Sequence, residues 1–162
     1  MSKSLFSADE STALKTSWKT LTKAGIAPVG QLVLHRFFND VPEVRELFYN
    51  VGVDEDRPQS LTMESLMKDN RFREHAKRVA YAIDTVIRNL DETDVIVEKC
   101  SELGKIHVKH KVQPHQFDLL GEVLVNVIKG ALNYDVTHPI MQAWIKAYGT
   151  IASAAKAGMK TR

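Results

Sequence analysis

Three histidines, His75, His107 and His110, are the residues of this chain best suited to do chemistry. The last two stand in the run LGKIHVKHKV at residues 103–112, among apolar and basic neighbours. Near neutral pH an imidazole can move a proton, donate a hydrogen bond or ligate a transition metal. Read singly, each also has a plain structural role. His75 lies four residues before Val79, so the two share a helix face, and a partly buried, hydrogen-bonded histidine fits there. His107, near a helix C-terminus, would complement the helix dipole. His110 and His115 read as loop histidines.

Rival chemistries find little support. The chain has no HExxH, GxSxG, Walker loop or GxGxxG. Asp91, Glu92 and Asp94 cluster in a polar link, the usual composition of a solvated helix junction. Cys100 precedes His107 by seven residues on one helix, about 10 Å along the axis, too far for direct activation of a thiol nucleophile. It is the single cysteine, which excludes an intrachain disulfide and zinc sites of the paired-cysteine type. It reads as a helix surface or core residue. Neither a hydrolase nor a transferase emerges.

Taken together, His75 and His107 say more. They are 32 residues apart, on separate predicted helices, each flanked by apolar side chains, with Phe37, Phe38 and Phe48 upstream. Structural zinc would want four protein ligands and catalytic zinc three. Haem needs only one strong axial imidazole, because the porphyrin supplies the other four nitrogens. Two histidines facing across an apolar slot therefore suit an iron porphyrin better than zinc.

The elements that must position them are helices. Ser7 with Glu10 reads as a capping box opening a helix through Leu14, Trp18 and Leu21. Gly25 separates it from a second, beginning near Pro28 and carrying Leu32, Val33, Phe37 and Phe38. Asp40-Val41-Pro42 bends the chain before a short turn ending at Phe48. Residues 49–62 are acidic, carry Gly and Pro, and read as a long loop with at most a helical turn at its end. Asn70 is placed to cap a helix through Phe72, Ala76, Val79, Ile83, Val86 and Leu90. Another is expected from about Thr93 to His107. The next is opened by Pro114, with Phe117, Leu120, Leu124, Val127, Ile128 and Ala131 on one face. Thr137 is placed to cap the last, through Ile140, Trp144, Tyr148 and Ile151. The fold class is all-α, with about seven to eight helices in one domain over residues 1–162.

Composition sets the remaining bounds. A chain of 162 residues can bury about 70% of its unfolded surface as one domain. It is 44% hydrophobic and 26% charged with a formal charge of +2, ordinary for a soluble protein, and no dense Lys/Arg block marks a nucleic-acid partner. The polar start MSKSLFSADE does not read as a signal peptide, and no run approaches the roughly 18 apolar residues of a membrane helix. The cytoplasm is the default compartment.

Five segments resemble the globin family, in order and over nearly the whole chain: KTSWKTL at 15–21, RFFNDVPEVRELF at 36–48, HAKRVAYAIDTVI at 75–87, LGKIHVKHKV at 103–112 and AWIKAYGTI at 143–151. HKVQP at 110–114 and AWIKAYG at 143–149 are most similar to neuroglobin-like, cytoglobin-like and invertebrate tissue or nerve globins. The resemblance implies a globin fold packed around haem b. It implies His107 as proximal iron ligand and His75 as distal histidine, which either donates a hydrogen bond to bound oxygen or ligates the iron itself as a sixth ligand. Phe48 would stack on the porphyrin. Leu34, Val79, Leu103, Val112 and Phe117 would line the pocket, and Arg78 and His110 would meet the haem propionates. The link from Phe48 to His75 is longer than in myoglobin-like chains.

The function implied first is reversible binding of dioxygen for storage, transport or intracellular supply, with carbon monoxide and nitric oxide as further ligands. The alternatives are redox turnover, such as nitric oxide dioxygenation or nitrite reduction with an external reductase, or haem-based sensing. No nucleic acid or membrane partner is expected, and the chain is expected to be a monomer or homodimer.

Overall fold

A computed structural model describes residues 4–49 and 62–160, the side chains of Phe48 and Tyr49 excepted. The described residues form eight helices. These are α1 (Ala8–Leu21), α2 (Ala27–Asp40), α3 (Glu43–Tyr49), α4 (Met63–Lys68), α5 (Asn70–Arg88), α6 (Thr93–Lys109), α7 (Pro114–Leu132) and α8 (Pro139–Met159). Of the expected loop at 49–62, residues 50–61 fall outside the described residues and Tyr49 belongs to α3; α4 begins at Met63, just past the expected end of the loop.

Local chemistry explains most of the boundaries. The Ser7 hydroxyl accepts from the Glu10 N–H at 3.0 Å while the Glu10 carboxylate accepts from the Ser7 N–H at 2.8 Å, a complete capping box. Gly25 has φ +116°, a conformation open to glycine, and turns the chain from α1 into α2. Two expected caps move by one residue. Asp69 caps α5, its carboxylate accepting from the Arg71 N–H at 2.9 Å, and Asn70 is already helical. His138 caps α8 through Nδ1, which accepts from the Ile140 N–H at 3.1 Å. Pro139 holds the first helical position there and forces the residue before it to be extended, so the cap cannot fall at Thr137. His115 lies in the first turn of α7 and not in a loop, and Ala131 is exposed.

The helices pack in pairs: α2 on α5, α6 on α8, and α7 across both α8 and α2, with α1 on α8. Glycines permit two of these crossings. A methyl at Gly30 would overlap the carbonyl oxygen of Ala76 on α5, and one at Gly104 would overlap that of Ala155 on α8. Each crossing lies beside a candidate histidine: Ala76 follows His75, and Gly104 is one helical turn before His107. Among the core residues, Trp18 and Trp144 meet with ring centroids 5.8 Å apart. Their indole N–H groups are satisfied, Trp18 donating to Asp84 and Trp144 to Ser17, both at 2.9 Å. Asp84 also pairs with Arg88 at 2.8 Å, so a largely buried carboxylate is neutralised as well as hydrogen-bonded.

Candidate haem site

His75 and His107 come together. From α5 and α6 their imidazoles face one another with ring centroids 6.3 Å apart and planes inclined by 55°. Both are partly buried. This is the facing pair expected from the sequence, and the packing of α5 and α6 into the same bundle produces it.

The surroundings of His107 fix it in several ways. Its Nδ1 lies 2.6 Å from the carbonyl oxygen of Leu103. A carbonyl can only accept, so Nδ1 carries the proton and Nε2 keeps its lone pair. Such a bond orients a ligating histidine and makes it more basic. The Phe117 ring stands edge-on to the imidazole, centroids 5.4 Å apart at 70°. α6 continues to Lys109, one turn's fraction past the expected end, and closes in a motif that holds His107 by its backbone. The Val112 N–H donates to the His107 carbonyl at 3.2 Å and the Lys111 N–H to the Val108 carbonyl at 3.0 Å. Lys111, at φ 62°, takes the left-handed position that glycine usually fills.

Electrostatics keep both rings neutral. Burial pushes the His75 pKa down to about 4, and the nearby His107, Arg78 and His110 add to the effect, because a proton on His75 would be repelled by any charge they carry. Burial lowers that of His107 too; the Leu103 bond opposes this and His110 reinforces it. A neutral imidazole has one lone pair and one N–H, so each ring can ligate a metal, and His75 can instead donate a hydrogen bond.

The other expected site residues divide by position. Leu34 is 2% exposed within the core, against which Val79 and Phe117 pack. Leu103 and Val112 touch the site through the backbone bonds just described. Arg78 and His110 are exposed at its edge, near enough to bear on the charge of His75. Phe48 is in the last turn of α3, and its side chain lies outside the described residues. Sequence reading overlooked Tyr148, noted only as a helix-face residue: its hydroxyl donates to the Phe117 carbonyl. It also overlooked a mainly apolar cleft of about 450 Å³ between α5 and α6, where Ala82, Val86, Ile96, Cys100 and Leu103 meet. Leu103 is common to the cleft and the histidine site. Among the described residues no group of three or more His, Cys, Asp or Glu could hold a metal on protein ligands alone.

Among the described residues, eight helices pack so that two imidazoles stand face to face, an all-helical fold with a histidine-lined site. The globin family model matches residues 31–155, so the chain belongs to the globin family. It is 30% identical over 129 residues to cytoglobin-1 of Oryzias latipes, covering 79% of this chain and 70% of that one. It is 27% identical over 150 residues to neuroglobin-1 of Oncorhynchus mykiss, covering 92% and 89%. The fold is similar to that of a hexacoordinated haem protein from an anhydrobiotic tardigrade, with TM-score 0.79, 19% identity and 97% of each chain covered. Among the described residues no helix is long and apolar enough to cross a membrane.

Proposed function

We propose that this globin holds haem b between His107 and His75 and binds dioxygen reversibly, as a cytoplasmic store, carrier or supplier. The observation that carries the proposal is the pair of facing imidazoles, 6.3 Å between centroids. Two imidazole nitrogens sharing one ion at about 2.0–2.1 Å each would set their ring centroids about 6–6.5 Å apart. The residues therefore fit an iron held from both sides. The hexacoordinated haem protein that shares the fold supports the same arrangement.

Haem, when bound, supplies the iron that takes up dioxygen, carbon monoxide or nitric oxide. The protein's part is to hold and select. His107 would contribute Nε2 as the proximal ligand, its ring held by the Leu103 carbonyl and by Phe117. His75 stays neutral at physiological pH, so its lone pair is available for the sixth position and its N–H for hydrogen-bonding an external ligand. Were His75 also to hold the iron, external ligands would have to displace it, and their apparent affinity would fall by the fraction of open sites. Leu34, Phe48, Val79, Leu103, Val112 and Phe117 would exclude water from the slot, while Arg78 and His110 at its edge would meet the propionates. The whole chain acts as a single globin domain, a monomer or homodimer.

The visible spectrum of the reduced, ligand-free protein tests this. Two sharp, separated bands are expected from the native chain and one broad band from His75→Leu. The same variant should release dioxygen faster and autoxidise sooner. A single broad band from the native chain would remove His75 from the sixth position, and no Soret band when haem is supplied would overturn the proposal. Sustained turnover of nitric oxide or nitrite with a separate reductase would move the assignment to redox enzymology.

A further inference from the structure

The side of the site behind His107 contains a polar tie inside an apolar region. Tyr148, on α8, is 9% exposed, and its hydroxyl donates to the backbone carbonyl of Phe117 in the opening turn of α7. Gly121 makes room for it, because a methyl there would overlap the Tyr148 ring. Burial, with the Asp118 carboxylate and Cys100 close by, raises the pKa of the phenol, which stays a neutral donor at ordinary pH. The carbonyl it holds belongs to the residue whose ring meets His107 edge-on at 5.4 Å. Tyr148, Phe117 and His107 thus form a continuous line from α8 through α7 to α6.

We propose that Tyr148 is a positioning residue for His107: its hydroxyl ties the opening turn of α7 to α8, and through Phe117 that tie sets the plane of the imidazole. The consequence for ligand binding rests on His107 being the proximal ligand, whereas the line of contacts does not. An edge-on aromatic pair has a preferred mutual orientation, so fixing the backbone of Phe117 fixes one side of that pair. The Leu103 carbonyl fixes the other. Without the phenolic hydroxyl, the Phe117 ring and the imidazole can turn together over a wider range.

The test is NMR of the His107 ring in the full chain as purified, reduced under carbon monoxide and therefore diamagnetic with or without haem. Tyr148→Phe keeps the aromatic ring over Gly121 and removes only the hydroxyl. It is expected to shift and broaden the His107 ring signals. Lys156→Ala breaks the neighbouring Lys156–Asp118 tie between the same two helices, 2.9 Å long, and is expected to leave them in place. Phe117→Leu is expected to shift them, with Tyr148→Phe adding nothing further on that background. Signals unmoved in Tyr148→Phe, or moved equally by Lys156→Ala, overturn the assignment. Should Tyr148→Phe not fold, unmoved signals in Phe117→Leu overturn it and moved signals sustain the Phe117 link. A Soret band from the same sample reports haem separately, so the two proposals fail independently.

Discussion

At the scale of single residues, burial acts oppositely on the two kinds of group near the site. It depresses the imidazoles, which are charged when protonated, and raises the Cys100 thiol, which is charged when deprotonated. For His75 the unfolded chain takes up a proton below about pH 6.5, while the folded chain resists until about pH 4. The unfolded state thus binds more protons across that window, and stability of the haem-free chain rises with pH through it. The stabilisation is lost as pH falls, by on the order of 3 kcal/mol between the two ends. Denaturant titrations at several pH values check this. His75→Leu should flatten the dependence, and an unchanged slope in that variant would place its source elsewhere. Cys100, 1% exposed and with its pKa pushed up to about 11, should react with a thiol reagent only as fast as the chain opens. Reaction at the rate of a free thiol in the folded protein would contradict that.

At the scale of elements, the position of each histidine is set by a helix crossing and not by the helix alone. Gly30 lets α2 sit against the backbone of α5 at Ala76, and Gly104 lets α6 sit against α8 at Ala155. In both cases the obstacle to a larger side chain is backbone, which cannot step aside by changing rotamer. Gly30→Ala and Gly104→Ala should each cost roughly 2–3 kcal/mol of stability by overpacking. Each should also displace the histidine beside it, so spectral change should accompany the lower urea midpoint. Gly130→Ala, where a methyl would meet nothing within 4 Å, serves as the control. That substitution should be neutral or slightly stabilising, as expected for alanine replacing glycine in an exposed helix.

At the scale of the whole molecule, haem in the slot would add a tie between α5 and α6, the helices that carry the two histidines. A ligand that binds only the folded chain stabilises it by about 4 kcal/mol when present at about 1,000 times its Kd. For a domain of this size that corresponds to roughly 10 °C in Tm. Removing haem should therefore lower Tm by about that amount, and adding it back should restore it. Calorimetry on the two forms decides the matter, with equal Tm values contradicting a haem-bridged bundle.

The sequence alone determined the features that depend on near neighbours. Apolar spacing on α5 and α7, the Ser7–Glu10 box and Pro114 marked helices because capping and periodicity act over three or four residues. The order of five segments marked the family. What remained open was set by groups distant in sequence. The facing of His75 and His107 was expected from the sequence, but their 6.3 Å separation and 55° inclination were set only when α5 and α6 took their places in the bundle. Tyr148 could be tied to the carbonyl of Phe117 only once α7 had crossed α8 at Gly121. The shifts of Asn70 to Asp69 and Thr137 to His138 had a local cause, the extended backbone each cap requires, and lay within one residue of the reading. The closeness of Gly30 to Ala76 and Gly104 to Ala155 had none. Packing decided those contacts, because a missing side chain reveals its use only when another helix arrives to fill the space.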